Sequence, residues 1–180
     1  MKIVFDTCIL YPTFLRKVLL RIATRKLFLP VWSNSILDEW RYVVSKLGSV
    51  QKDQVGSEIA LLKHQWAESL YLIESSKIDD LWLPDLNDVH VLATAIISKS
   101  DIILTLNNKD FPKSILSKYS IGRFTPDELL KQLWRQYPDV ISNEIMEAYN
   151  TLVNETNLDL PLKRVLKKAN LSSIGKLILT

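Results

Sequence analysis

Short apolar runs alternate with longer amphipathic stretches through the first two thirds of the chain. Short apolar runs bounded by polar residues are typical of buried strands, whereas apolar residues three and four positions apart are typical of helices. The pattern predicts strands at 2–5, 27–32, 71–73 and 101–105. It predicts helices at 12–24, from near Ser33 or Ser35 to 47, at 52–69, 88–98, 126–135, 140–153 and 162–169. This alternation favours an α/β fold with a mostly parallel sheet that helices cover on both faces.

The start of the second helix, the C-terminal segment and the domain division are also open to prediction. Ser35 and Asp38 are spaced as a capping box for the second helix, with Asp in the position usually held by Glu. The segment from Lys176 to Leu179 is predicted to be either a fraying tail or a segment that docks on a partner. Because no stretch resembles a flexible linker, we expect a domain at 1–125 and a helical extension at 126–180 packed on the same domain.

Composition changes this picture little. A hydrophobic content of 47% over 180 residues fits a globular protein, and no apolar run approaches the roughly 18 residues that span a bilayer. A single cysteine, Cys8, cannot form an intramolecular disulfide, which agrees with a cytoplasmic location. The net charge of +3 permits a nucleic-acid partner without arguing for one. Basic residues cluster within 16–26 and 163–176, each cluster being either a solvated helix face or a contact for a polyanion.

Acidic and polar residues follow two of the predicted strands. Asp6 comes directly after the first strand, and Thr105, Asn107 and Asp110 come at or after the end of the strand at 101–105. Open parallel sheets carry their sites beyond the carboxyl ends of the strands. Because a lone buried carboxylate is costly unless it is paired or binds a metal, we expect these groups to meet at one edge of the sheet.

Two helices add further carboxylates. Asp88 begins a helix that is apolar over most of its circumference, and it serves either as a site residue or as a helix cap, a role for which Asp85 competes. At about 100° per residue, Glu39 falls at the edge of the apolar stripe of the second helix, while Asp38 falls nearly opposite it. The spacing therefore favours Glu39 for the site and predicts that Asp38 faces water.

Four converging carboxylates without counter-cations would repel one another and raise their own pKa values. No Lys or Arg is clearly placed among them in the sequence, so a divalent cation is the simplest compensation. All-oxygen ligands suit Mg²⁺ or Mn²⁺, and sites of this kind accompany phosphate substrates. Metal-assisted hydrolysis of a phosphodiester bond is the chemistry that follows.

Four stretches resemble the motifs of the PIN-domain ribonucleases, and within them the VapC-like toxin nucleases. They are "IVFDTCILYP" with Asp6, "SNSILDEW" with Glu39, "DVHVLATAI" with Asp88, and "TLNNKDFP" with Thr105, Asn107 and Asp110. They occur in the order of the family and span a little over half of the chain. The resemblance implies a three-layer α/β/α fold and a Mg²⁺- or Mn²⁺-dependent endoribonuclease acting on RNA. It also implies the toxin of a toxin–antitoxin pair, often dimeric, whose cognate antitoxin holds it inactive.

The resemblance assigns a role to each site residue. Asp6, Glu39, Asp88 and Asp110 form the catalytic quartet. Asp6 and Asp110 bind the metal most directly. Asp88, as a further metal ligand, and Glu39 complete the shell, directly or through water, and help to orient the attacking water. Thr105 and Asn107 shape or support the site.

Other readings stay open beside this one. A PIN-fold module could bind RNA or protein without cleaving it, although none of the four carboxylates is missing. A haloacid-dehalogenase-like phosphatase would want a second Asp two residues after the first, where Cys8 stands. His90 is either a phosphate contact or a hydrogen-bonded structural histidine, and Trp82 is either a structural residue or a platform for a nucleotide base. DNA is the less favoured substrate.

Overall fold

In the computed structural model, which describes residues 1–74, 80–156 and 160–179 but not the side chains of residues 49 and 50, five strands form one sheet. The strands are β1 Lys2–Phe5, β2 Leu29–Ser33, β3 Leu70–Tyr71, β4 Ile102–Leu104 and β5 Gly122–Phe124. Their order across the sheet is β3-β2-β1-β4-β5, and β1 pairs in parallel with both β2 and β4, as β2 does with β3. The predicted α/β class with a parallel sheet is confirmed.

Ten α-helices are described around this sheet and beyond it. They are α1 Thr7–Leu10, α2 Thr13–Thr24, α3 Asn34–Ser45, α4 Ser49–Gln65, α5 Val89–Ser98, α6 Lys113–Leu116, α7 Pro126–Trp134, α8 Pro138–Thr156, α9 Leu162–Lys168 and α10 Ser172–Ile178. Short 3₁₀ turns lie at Ala67–Ser69, Leu86–Asp88 and Ser117–Tyr119. In the described part of the chain, none of the helices combines the length and the apolar character that a membrane crossing requires.

The central strands form the core of the sheet because almost every residue in them is apolar. Ile3, Val4 and Phe5 of β1 have no solvent exposure, and β4 is buried throughout. Ile3 pairs with Pro30 of β2 and with Ile102 of β4. Pro30 is tolerated there since it lies at the start of β2, before the pairing with β3 begins at Trp32.

The chain divides into two compact units. The first contains residues 1–11 and 29–123, with β1–β4, most of β5, and helices α1 and α3–α6. The second contains residues 12–28 and 124–180, with α2 and α7–α10. The predicted domain boundary, between residues 125 and 126, lies close to residue 124, where the C-terminal part of the second unit begins. The sequence did not indicate that α2 joins this unit, where it packs against α8.

The structure corrects one local prediction and narrows another. The capping residue of α3 is Ser33 rather than Ser35, because the strand β2 runs directly into the helix and the Ser33 Oγ accepts a hydrogen bond from the Ile36 N–H at 3.4 Å. Of the two alternatives for residues 176–179, the fraying tail is excluded for 176–178, which form the end of α10, and docking on a partner stays a prediction. Asp127 of α7 stabilises the first turn of α10, accepting hydrogen bonds from the N–H groups of Ser173 and Ile174 at 3.1 and 2.9 Å.

Candidate metal centre

The site begins at the carboxyl ends of β1 and β4, which are neighbours in the sheet. Asp6 follows β1, and its backbone N–H donates to the carbonyl of Leu104 at 3.1 Å. Its Oδ2 accepts hydrogen bonds from the Thr105 hydroxyl at 2.6 Å and from the Cys8 thiol at 3.0 Å. The Asp6 carboxylate is therefore buried and held in place by two side chains.

The loop after β4 extends the site to Asp110. Thr105 Oγ1 accepts a hydrogen bond from the Asn107 backbone N–H at 2.9 Å. The Asn107 side-chain amide in turn donates to the Asp110 carboxylate. The structure thus connects Asp6, Thr105, Asn107 and Asp110 through hydrogen bonds, so that the orientation of Asp110 depends on the same loop that orients Asp6.

The turn before α5 brings two more carboxylates. Asp85 caps the 3₁₀ turn, since its Oδ1 accepts a hydrogen bond from the Asn87 N–H at 2.9 Å. Asp88 directly precedes α5, but its side chain makes no capping hydrogen bond within the described part of the helix. Carboxylate oxygens of Asp85, Asp88 and Asp110 lie within 4.8 Å of one another. This spacing is compatible with three oxygens around one cation.

Glu39 reaches the site from α3. Its Oε2 accepts a hydrogen bond from the Thr7 hydroxyl at 2.6 Å and lies 3.2 Å from Nε2 of His90. The other ring nitrogen of His90 lies 2.7 Å from the carbonyl of Asn87, which only accepts, so this nitrogen carries a proton. Asp38, the neighbour of Glu39, is exposed and contacts Arg41, as the helical spacing predicts.

The electrostatics of the site reflect uncompensated negative charge. Burial, more than the opposing hydrogen bonds, raises the pKa of Asp6. Burial and then the charges of Asp6, Asp85, Asp110 and Glu39 raise the pKa of Asp88 to about 7. Among the residues that the structure describes, no Lys or Arg forms an ion pair with these carboxylates. A bound cation would supply the positive charge that these carboxylates lack.

Among the carboxylates of the site, Glu39 has a basic side chain, His90, as a neighbour in the described part of the chain. The contact with His90, and then the Thr7 hydroxyl, lower the pKa of Glu39 against the effect of burial. Burial alone would lower the pKa of His90, but the Glu39 carboxylate and the Asn87 carbonyl more than reverse this, and the pKa of His90 is raised. Glu39 is therefore an ionised carboxylate with a fixed orientation.

Comparison with known proteins gives the family. A family model described as the PIN domain matches residues 2–109, which is more than half of the chain. The chain belongs to the PIN domain family. Among solved structures, the PIN domain is similar to a chain in the crystal structure of VapBC2 from Rickettsia felis bound to a DNA fragment from their promoter. The identity is 23%, the match covers 69% of this chain and 98% of that chain, and the TM-score is 0.46. None of the curated proteins matches significantly.

Sequence reasoning did not foresee every residue at the site of this PIN domain. The sequence indicates Asp85 only as a helix cap, yet Asp85 also contributes an oxygen to the acidic cluster. The sequence shows that Asp85 and Asp88 are three residues apart, but it does not show the 3₁₀ turn that brings their carboxylates together. Thr7 and Cys8 are each hydrogen-bonded to a site carboxylate, but the sequence gives no indication of this beyond their position after Asp6.

Trp82 is 62% exposed, so its side chain is not a core residue.

Proposed function

We propose that this PIN domain is a metal-dependent endoribonuclease that hydrolyses phosphodiester bonds in RNA, with Mg²⁺ or Mn²⁺ as its cofactor. The acidic cluster supports this function most strongly, because three carboxylates present oxygens within 4.8 Å of one another without a basic partner in the described part of the chain. Oxygen-only donors of this kind suit Mg²⁺ and Mn²⁺ rather than softer metals.

The residues present fit such a cation. Asp88 and Asp110 belong both to the predicted ligand set and to the observed cluster. Asp6, whose charge raises the pKa of Asp88, is the third proposed ligand, and Asp85 is added to the set by its position. A divalent cation bound by these residues would polarise the phosphate and make a water molecule more acidic.

The remaining side chains serve to hold these ligands and the reacting groups. Thr105 and Cys8 orient Asp6, and Asn107 orients Asp110. Glu39, ionised and fixed by Thr7 and His90, is proposed to accept a hydrogen bond from the attacking water and orient it towards the phosphorus. Hydrogen bonds that orient metal ligands commonly contribute 10–100-fold to metal affinity or activity.

We further propose that the protein acts in the cytoplasm as the toxin of a toxin–antitoxin pair and has a cognate antitoxin as its partner. The four sequence motifs around Asp6, Glu39, Asp88 and Asp110 support this assignment through their resemblance to VapC-like toxins. The partner and the activity are separate proposals, since an antitoxin could bind a chain that does not cleave RNA.

Cleavage of an end-labelled, structured RNA at low salt tests the proposed activity. We expect fragments with Mg²⁺ or Mn²⁺ and none with EDTA. Asp6→Asn, purified identically, should reduce the cleavage rate more than about 100-fold, because it removes a charge from a ligand without changing its size. Asp38→Asn is the matched control, since Asp38 is exposed and outside the site, and it should cleave like the wild type.

The same assay distinguishes the alternatives. Cleavage that persists in Asp6→Asn would indicate a contaminating nuclease and contradict the proposal. RNA retained without cleavage by a folded wild type, in the presence of either metal, would favour a PIN-domain module that binds without cutting. Cleavage of DNA in preference to RNA would correct the substrate.

A further inference from the structure

Positive charge in this protein is concentrated at the C-terminal end of the sequence. Residues 160–180 contain five basic residues and no Asp or Glu. The rest of the chain then holds 18 of the 23 basic residues against all 20 acidic ones, a net charge of −2. The formal charge of +3 is thus the sum of a basic end and a slightly acidic remainder.

This basic segment forms α9 and α10, and a groove of about 540 Å³ lies between them. We call it the α9–α10 groove. Leu179 contributes exposed apolar surface to its lining, Leu166 and Gly175 form a buried part of the wall, and Lys163, Lys167 and Lys176 complete the lining. The three lysines are exposed. Lys163 and Lys167 form no ion pair with any residue that the structure describes.

Gly175 allows close packing of α10 on α9 beside the groove. A Cβ at this position would lie 3.2 Å from Cδ1 of Leu166, which is tighter than ordinary van der Waals contact. The absence of a side chain lets α10 approach α9 closely while Leu166 remains part of the groove wall. Asp127 fixes the start of α10 through its hydrogen bonds to Ser173 and Ile174, so both walls have defined positions within the second unit.

The chemistry of the groove selects its ligand. A lining that combines apolar surface with lysines complements a ligand with apolar groups beside carboxylates. Nucleic acid fits less well, because residues 160–180 contain no Phe, Tyr or Trp on which a base could stack. A bilayer surface also fits less well, since it meets a protruding apolar face more readily than a concave one. An amphipathic helix laid into a groove is the recurring solution for this combination.

We propose that the α9–α10 groove is a docking site for an amphipathic segment of a partner protein, with apolar residues on one face and Asp or Glu beside them. The groove lies entirely within the second unit, and the acidic cluster lies entirely within the first. The proposal therefore stands or falls independently of RNA cleavage.

Fluorescence anisotropy with the full chain tests the docking site. The probe is a labelled synthetic peptide with Leu at helical i, i+3, i+4, i+7 spacing and Glu at most other positions. We expect the wild type to bind the peptide saturably and more weakly as salt is added. Lys163→Glu/Lys167→Glu should bind it at least about tenfold more weakly than the wild type. Lys113→Glu/Lys118→Glu should bind it like the wild type. This control pair changes the net charge equally at exposed lysines of the first unit.

A second pair of variants tests the apolar part of the groove. Leu179 lines the groove and Leu177 does not, although both are partly exposed, at 48% and 38%. Leu179→Ser should weaken peptide binding several-fold, whereas Leu177→Ser should not. Thermal unfolding of each variant establishes that it is folded.

Three results would overturn the proposal. The first is equal binding of a peptide with the same composition in scrambled order, which has no apolar face. The second is equal peptide binding by the two double variants. The third is a protein that does not bind the peptide but binds an RNA oligonucleotide or anionic vesicles, with this binding abolished in Lys163→Glu/Lys167→Glu. That result would assign the basic segment to a polyanion or a membrane instead.

Discussion

Thr105 shows how much of the candidate site depends on one buried hydroxyl group. The side chain has no solvent exposure, and its Oγ1 donates to Asp6 while accepting from the Asn107 backbone N–H. Asn107 in turn bonds Asp110. Removal of the hydroxyl would leave the buried Asp6 carboxylate without this partner, which is costly, and would release the backbone N–H of Asn107.

Thr105→Val should therefore lower metal affinity and RNA cleavage by about 10–100-fold while the fold is retained, because Val has nearly the same shape. Thr105→Ser keeps the hydroxyl and should restore most of both. Calorimetric Mn²⁺ binding and the cleavage rate are the measurements. If Val and Ser behave alike, the hydroxyl does not position Asp6.

The site residues differ in how far the sequence could predict their surroundings. Asp6 and Thr105 follow neighbouring parallel strands, and Glu39 lies at the edge of an apolar stripe, so simple geometry was sufficient to place them. Asp85 was harder, since a 3₁₀ turn leaves no periodic signal. Of the two roles predicted for His90, that of a hydrogen-bonded structural histidine agrees with its contacts to Asn87 and Glu39.

At the scale of elements, one carboxylate joins α2 to α8 within the second unit. Glu144 on α8 is 3% exposed, and its two oxygens lie 2.9 Å from Nε of Arg21 on α2 and 2.6 Å from Nε of Arg25, which directly follows α2. Both arginines are partly exposed, so the pairs are less costly to desolvate than fully buried ones. The pairing explains why α2 joins the C-terminal helices.

Glu144→Gln should lower the free energy of unfolding by about 1–3 kcal/mol, less than the loss for a fully buried pair, because the arginines reach water. Glu155→Gln is the matched control. Glu155 also joins α8 to α2, through Lys17 at 2.5 Å, but both of these side chains are substantially exposed. Its loss should cost less than about 1 kcal/mol. Chemical denaturation measures the free energy of unfolding of both variants. Equal losses in Glu144→Gln and Glu155→Gln would contradict the stabilising role given to the burial of Glu144.

Most elements of the fold could be predicted because their apolar spacing is strong. β1, α2, α5, α7 and α8 lie where the pattern placed them, within a few residues. β3 is only two residues long, and the short elements α1, α6 and β5 have too few residues to show a period. The grouping of α2 with α8 depends on contacts more than 100 residues apart in sequence, which local pattern does not encode.

At the scale of the whole molecule, the candidate metal centre is a product of topology. Its residues are spread from Asp6 to Asp110 in the sequence. They come to one edge of the sheet because β1 and β4 are adjacent and α5 packs against both, while α3 packs against β2 and α5. A cation that binds this site would bind the folded first unit only. Metal should therefore stabilise that unit by an amount that depends on its concentration relative to Kd.

Calorimetric titration of the full chain with Mn²⁺ tests the central claim most directly. The wild type and Asp38→Asn should bind the ion with the same affinity, and Asp88→Asn should bind it at least about tenfold more weakly, since Asp88 lies in the cluster and Asp38 does not. Equal Mn²⁺ affinity in the wild type and Asp88→Asn, both folded, or no binding by either, would contradict a metal centre at these carboxylates.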